Sequence, residues 1–562
     1  MIKRMFLIIL ILALAGFSLP GDLLIKTTDP SNIKGEIIKK IAEDVYLIRP
    51  PEGSRAVSYL LFEENLIVAP DTPLKALATP NDTCTSLRWD LSFIRAFDAW
   101  NTATGSDTIY IGLPDTGVDY KHPDLELNLY KNTADCDYDG VDDDGNGYKD
   151  DCYGVNVLCY PDGTYNPSAS GCNAPDALDD NGHGTHIAGI IGAVGNNGTL
   201  IPGINWRVKI IPCKFLNASG DGTVAGEIEC LEYFKTLART KGITIVAVNA
   251  SYGGGTYNEV EKQVISSLGD IGALYISAAG NSSLNNDEVD FFPCNYDLPN
   301  QICVGAADRD GNLASFSHYG FRKVKILAPG VDIKSLRPKN YTNDCSGSLV
   351  GASGTSISAP FVSGAVALIK SANPSMSYAK IRERILTSAV QSKSLRGKVN
   401  TCGYLDLYYS LNPDNNPKVC LSHDIVDFGT KYYCGHFSLK LVVKNVGNIP
   451  VTPLWIDILG GAFYLDQDNC SGITLGSLEE CSITITFDPP SAGDFTGFVS
   501  LTFLESGLDT TVALRGRLSA ELGEGICHQN TGCAGEFLFL FSGLGIVVAF
   551  SIVRRNGLRL YK

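Results

Sequence analysis

Residues 353–360 read SGTSISAP and run straight into FVSGAVALIK, residues 361–370. Ser and Thr are good helix N-caps, so capping alone accounts for a serine-rich entry into a helix of small and apolar residues. The alternative is that one serine, Ser356, stands at a helix N-terminus because chemistry requires a hydroxyl there. The stretch by itself admits both readings, and the choice rests on partners elsewhere in the chain.

Two further motifs supply them. GLPDTGVD, residues 112–119, places Asp115 at the end of the apolar run TIYIG. NGHGTHIAG, residues 181–189, places His183 at the start of a small-residue helix. Taken singly each is weak, since Asp-Thr-Gly is a common turn and a lone histidine is often structural. Together they provide nucleophile, base and orienter. A serine hydroxyl is a poor nucleophile without a base. His183 accepts its proton near neutral pH. Asp115 holds the imidazole in the right tautomer and stabilises its charged form.

The order Asp115, His183, Ser356, with these surroundings, resembles the subtilisin-like serine proteases, whose triad order is well known. The resemblance runs from about Thr79 to Leu411 and includes LASFSHYG (313–320), LAPG (327–330) and VNTCGYLDL (399–407). It implies a mostly parallel sheet flanked by helices and hydrolysis of peptide bonds in protein or peptide substrates. It also implies that Asn281, in SAAGN (277–281), is the side-chain donor of an oxyanion hole whose other donor is the Ser356 backbone N–H. The residues alone allow a turn asparagine after Gly280, or a glycan acceptor in Asn281-Ser-Ser. The stretches SYGG (Ser251, Tyr252, Gly253, Gly254) and ASGDG (including Ser219 and Gly220) match the family's two substrate-flanking segments, where glycine lets a peptide pair with the backbone. One departure is Pro114 directly before Asp115, where an aliphatic residue is usual. It removes a ladder donor at the strand end, and a local adjustment is expected.

Between the Asp and His motifs lies DCDYDGVDDDGNGYKDDC, residues 135–152, with eight aspartates offset only by Lys149. Such a loop either stays solvated or binds a cation. Asp142, Asp144, Asn146 and Gly147 follow D-x-D-x-N-G, the opening of a calcium loop, with the Tyr148 carbonyl and Asp151 completing an oxygen shell. The bidentate glutamate expected at position twelve is absent, since Tyr153 stands there, so this is not an EF-hand. Similar insertions occur in subtilisin-like proteases at this place. Structural Ca2+ is the expected cofactor, and no catalytic one is called for.

Composition sets the frame. A chain of 562 residues implies two or three domains, and 44% apolar with 19% charged residues describes a globular protein. The balance of 45 basic against 61 acidic residues gives a net charge of −16, which disfavours nucleic acid as a partner. The 17 cysteines include close pairs such as Cys136/Cys152 and Cys294/Cys303 but no CxxC, which favours an oxidising compartment over a zinc ribbon and leaves an odd thiol.

Seven segments are expected. Residues 1–20 have the layout of a signal peptide, with Lys3 and Arg4 before an apolar run and Ala13-Leu-Ala after it. Residues 21–77 resemble a propeptide by position and length, and 78–412 form the catalytic domain. Alternating strands and turns over 413–518 suggest a β-sandwich and resemble Ig-like modules. A Gly-rich linker (519–535) leads to a stretch over 536–555 in which Phe537 to Val553 carries no charge and Arg554 and Arg555 follow. That is the pattern of a transmembrane helix, with 556–562 as a cytoplasmic tail. Two functions compete: a secreted, surface-anchored serine endopeptidase, and a catalytically silent adhesion or scaffold protein that retains the fold.

Overall fold

The computed structural model describes residues 78–339 and 341–519, with four strand segments between residues 23 and 70. The signal-peptide, transmembrane and tail segments expected above, and nearly all of the linker, lie outside the described residues. The four early strands, β1 (Leu23–Lys26), β2 (Glu36–Ala42), β3 (Val45–Arg49) and β4 (Ile67–Pro70), form an antiparallel sheet in the order β2-β3-β1-β4. They belong to a unit separate from the rest of the chain.

The second unit begins with the α/β domain. Its core strands are β5 (Gly105–Asp115), β6 (Val155–Asn156), β7 (Arg207–Lys214), β8 (Thr244–Ala250), β9 (Leu274–Ala278), β10 (Gln301–Ala307) and β11 (Ile326–Pro329). With β14 (Val390–Gln391) and β15 (Gly403–Tyr404) they make a nine-stranded sheet in the order β14-β15-β11-β10-β9-β8-β5-β7-β6. Only the β14–β15 pair is antiparallel. Strands such as β9 (LYISA) and β10 (QICVGAA) are buried at every position. That is the pattern of parallel strands covered on both faces. Strands β12 (Ile333–Leu336) and β13 (Leu349–Ala352) form a separate antiparallel pair.

Five helices matter here: α1 (His183–Gly192), α2 (Val224–Lys241), α3 (Glu259–Ser267), α4 (Thr355–Ala372) and α5 (Tyr378–Thr387). Helix α4 is the one announced by SGTSISAP, and it packs against β5, β8, β9 and β10. Small residues explain the close approach: a Cβ at Gly364 would lie 2.8 Å from Ile204 Cβ. Pro114 pairs in register with Cys213 of β7, while the β5–β8 ladder stops earlier, at Gly112↔Val248. The proline therefore falls past the last pair on the β8 side, and β5 reaches Asp115 uninterrupted.

Residues 419–518 form a β-sandwich. One sheet has the order β16-β18-β21-β20, built from Val419–Leu421, Phe437–Asn445, Glu480–Phe487 and Phe463–Asp468. The other has the order β17-β23-β22-β19, built from Ile425–Lys431, Thr510–Leu518, Gly493–Phe503 and Pro453–Leu459. Phe428, Phe463 and Phe487 meet in the core between them. The sandwich is tied to the α/β domain by the Cys402–Cys420 disulfide and a buried cluster with Phe321, Val442 and Val446. Lys444 Nζ also donates to Asn400 Oδ1 at 2.6 Å.

Seven disulfides link described cysteines, including Cys84–Cys345, Cys136–Cys152, Cys159–Cys172 and Cys294–Cys303. No described cysteine is free. Among the described residues no helix is long and apolar enough to cross a membrane.

Candidate active site

Asp115 ends β5, fully buried, and His183 opens α1 with its ring partly exposed. His183 Nδ1 lies 2.8 Å from Asp115 Oδ1 and 3.0 Å from Oδ2. A second aspartate holds the two elements together. Asp179, buried just ahead of α1, accepts from Gly182 N (2.9 Å), Thr185 N (3.1 Å) and Thr116 Oγ1 (2.9 Å), and Thr116 Oγ1 accepts from Gly184 N (3.0 Å). Burial pushes the Asp179 carboxyl above its ordinary pKa. Burial works against a charged imidazole at His183, but the Asp115 carboxylate, by charge and hydrogen bond, brings its pKa above the usual histidine value. His186, the other histidine of the motif, is a different case. Its Nε2 sits 3.2 Å from the carbonyl oxygens of Ile333 and Val350, and burial lowers its pKa to about 4. It is a neutral core residue.

Ser356 occupies the first turn of α4. The closing Ala-Pro of SGTSISAP has a role at this point. Pro360 has no N–H to give the carbonyl four residues earlier, which belongs to Ser356. That carbonyl instead accepts from Ser251 Oγ at 2.7 Å. Ser251 Oγ in turn accepts from buried Asn249 Nδ2 (2.8 Å), whose Oδ1 accepts from Ser363 Oγ (2.8 Å). The serine expected to flank substrate thus spends its hydroxyl on fixing the SYGG edge against Ser356.

On the other side of Ser356, Asn281 Oδ1 accepts from Thr355 N (2.8 Å) and Thr355 Oγ1 (3.0 Å). This commits the oxygen and leaves Nδ2 as a donor. Gly354, at φ +155°, separates the groups: a Cβ there would lie 3.1 Å from Ser356 Oγ and 3.5 Å from Asn281 Nδ2. Asn281 and Ser356 therefore converge on one small space that glycine keeps open. Among the described residues no hydrogen bond joins Ser356 Oγ to His183, whose ring bonds Asp115. Such contacts often tighten only when substrate binds.

Ser219 and Gly220 lie exposed in a turn closed by Gly220 N to Asn217 O (2.9 Å), just before α2. Tyr252 packs edge-on to Phe215 with ring centroids 4.8 Å apart, and its hydroxyl donates to buried Glu227 at 3.1 Å. The Tyr252 side chain is thus turned inward. Gly253 is exposed on the SYGG edge.

In the acidic loop, closed by Cys136–Cys152, the structure draws Asp142 and Asp144 together with Asp135, each offering an oxygen within 4.8 Å of the others. Both carboxylate oxygens of Asp135 are buried without a hydrogen-bond partner, and burial, with the charges of Asp151 and Asp150, pushes its pKa up to about 6. An orphaned carboxylate among carboxylates fits a hard, oxygen-seeking cation. The other expected ligands are placed differently. Asp151 accepts from Tyr233 Oη (2.7 Å) and Asn146 Nδ2 (2.9 Å), and Asn146 Oδ1 accepts from Tyr148 N (2.9 Å). Asp144 also pairs with Lys241 at 2.9 Å. Asp135 was not singled out from the sequence because it falls outside D-x-D-x-N-G. Asp179 carried only a weak signal, an aspartate in the polar turn just ahead of the helix that opens at His183.

The α/β scaffold thus carries an Asp–His pair at the start of one helix and a serine with a neighbouring side-chain amide at the start of another. The model of the subtilase family, peptidase S8, matches residues 106–405, more than half of the chain, and the chain belongs to that family. It is 30% identical over 349 residues to Subtilisin-like protease 1 of Plasmodium berghei (strain Anka), covering 58% of this chain and 54% of the relative. It is 32% identical over 303 residues to the Thermophilic serine proteinase of Bacillus sp. (strain AK1), covering 54% and 62%. It is 35% identical over 213 residues to Subtilisin DY of Bacillus licheniformis, covering 38% and 71%. The chain spans about half the length of the Plasmodium relative.

Proposed function

We propose that the chain is an exported serine endopeptidase that hydrolyses protein or peptide substrates through an acyl-enzyme. The observation that carries this reading is the convergence of Asn281 Nδ2 and Ser356 Oγ on the space at Gly354, at the start of a helix that packs against α1, whose first residue His183 pairs with Asp115. In the proposed reaction His183 Nε2 takes the Ser356 proton as Oγ attacks the substrate carbonyl, while Asp115 holds Nδ1 and stabilises the imidazolium. Asn281 Nδ2 and the Ser356 N–H at the start of α4 receive the oxyanion. The imidazolium then returns its proton to the leaving amine, and water repeats the sequence to free the acyl group. A serine-directed fluorophosphonate probe tests the assignment, because it labels only an assembled, activated serine. The rival scaffold reading predicts no labelling.

Calcium belongs to the same proposal, held by Asp135, Asp142 and Asp144. When bound, it supplies charge neutralisation that ties the loop down and takes no part in bond cleavage. Seven disulfides accord with an oxidising compartment. Anchoring through residues 536–555, propeptide control by residues 21–77 and an Ig-like kinship of the sandwich complete the reading. Truncation before Glu536 is expected to release soluble enzyme, and protein that stays on the membrane after truncation would place the anchor elsewhere.

A further inference from the structure

The SYGG edge and the Gly280–Asn281 turn are joined by a pair of rings. On the SYGG edge, a Cβ at Gly253 would lie 2.6 Å from Phe291 Cε1 and 2.9 Å from Cζ, and one at Gly254 would lie 3.9 Å from Cε2. The far rim of the Phe291 ring therefore abuts the glycines. The backbones are paired as well, since Gly254 N donates to Phe292 O at 2.9 Å. Behind Phe291 stands His318, edge-on with ring centroids 5.0 Å apart. His318 abuts the oxyanion turn: its N donates to Gly280 O at 2.9 Å, and a Cβ at Gly280 would lie 2.5 Å from its Nδ1. Asn286 fixes that ring through Oδ1 to Nδ1 (2.8 Å) and ties itself to Ala279 O through Nδ2 (3.0 Å). The Cys294–Cys303 disulfide braces the segment that follows Phe291.

This inference rests on the peptidase reading. A carbonyl attacked by Ser356 has its oxygen between Asn281 Nδ2 and the Ser356 N–H. In an extended peptide paired with the SYGG edge, the side chain on the adjoining α-carbon then enters the gap between that edge and the Gly280–Asn281 turn. Phe291 abuts the SYGG side of that gap at Gly253, is only half buried, and is backed by buried His318, which abuts the Gly280 side. It therefore has little room to withdraw.

We propose that Phe291 sets the specificity of cleavage, restricting the residue whose carbonyl is attacked to glycine, alanine or serine. The pocket closes on size, and a larger side chain meets the ring rim before its carbonyl reaches Ser356. The test is a peptide library varied at that one position, read as kcat/KM, with the wild type, Phe291→Ala and Phe291→Leu. The wild type should favour alanine over leucine or phenylalanine by about 10-fold or more, the scale at which an apolar pocket discriminates by size. Phe291→Ala should reduce or invert that ratio by at least about 10-fold, and Phe291→Leu, which keeps most of the packing, should move it part of the way. A wild type that labels with fluorophosphonate yet prefers large residues would overturn this inference alone, as would a small-residue preference unmoved in both variants. A wild type that neither labels nor cleaves any peptide would overturn the peptidase reading and this inference with it.

Discussion

Replacing Asn281 separates two jobs that its amide performs. Its oxygen accepts from Thr355 N at 2.8 Å and Thr355 Oγ1 at 3.0 Å, and its nitrogen is left to face the space beside Ser356. Asn281→Ala deletes both. Loss of one oxyanion donor costs about 10²–10³ in kcat, or about 2.7–4 kcal/mol, on a scale borrowed from subtilisin itself. Thr355 is buried at the helix start, so its orphaned N–H adds about 1–3 kcal/mol of instability, visible as a lowered Tm. Asn281→Asp keeps the acceptor for Thr355 but removes the donor and places a negative charge beside the developing oxyanion. It should therefore hold Tm near the wild-type value while losing more kcat than the alanine variant. The assay is steady-state kinetics on a peptide substrate, normalised by active-site titration, beside thermal melts. Both variants should leave KM nearly unchanged, because the bond forms only in the transition state. A rise in KM with kcat intact, or an aspartate variant as active as the wild type, would refute the reasoning.

Other outcomes follow from the same geometry. Because Asp115 raises the His183 pKa, and the base acts only when neutral, the acid limb of the kcat/KM profile should fall above the ordinary histidine value of 6.5, and Asp115→Asn should shift it to lower pH. Calcium should raise Tm in a concentration-dependent way, by about 2.7 kcal/mol of stability at 100 times Kd, and Asp135→Asn should abolish most of that gain. A Tm indifferent to calcium and to chelator would leave the loop merely solvated. Asn249→Ala should release Ser251 from its bond to the Ser356 carbonyl, costing roughly 1–3 kcal/mol on melting together with a fall in kcat, whereas a variant unchanged in both would show the network to be idle.

Much of this was legible in the sequence because it is local. The triad residue types each sit where a strand ends or a helix begins, and apolar runs such as TIVAVNA announce strands buried on both faces. The β-rich region over 413–518 was legible because alternation replaces continuous apolarity there. What stayed hidden depends on contacts distant along the chain. The hydroxyl of Ser251 is taken by the carbonyl left open by Pro360, that of Ser356, 105 residues away. D-x-D-x-N-G pointed to Asn146 and Asp151, yet folding pairs those two with each other and leaves Asp135 orphaned. Phe291 carries no motif at all, and its place emerges only when Gly253 and Gly280 approach the two sides of one helix start.

The central claim is that Ser356 is an activated nucleophile. Mass mapping after fluorophosphonate treatment should find the adduct on Ser356, with none in Ser356→Ala and little in His183→Ala. Peptidase activity in Ser356→Ala should fall by about 10⁶, again on subtilisin's scale. An adduct on another serine, or full activity in the Ser356→Ala protein, would contradict the account.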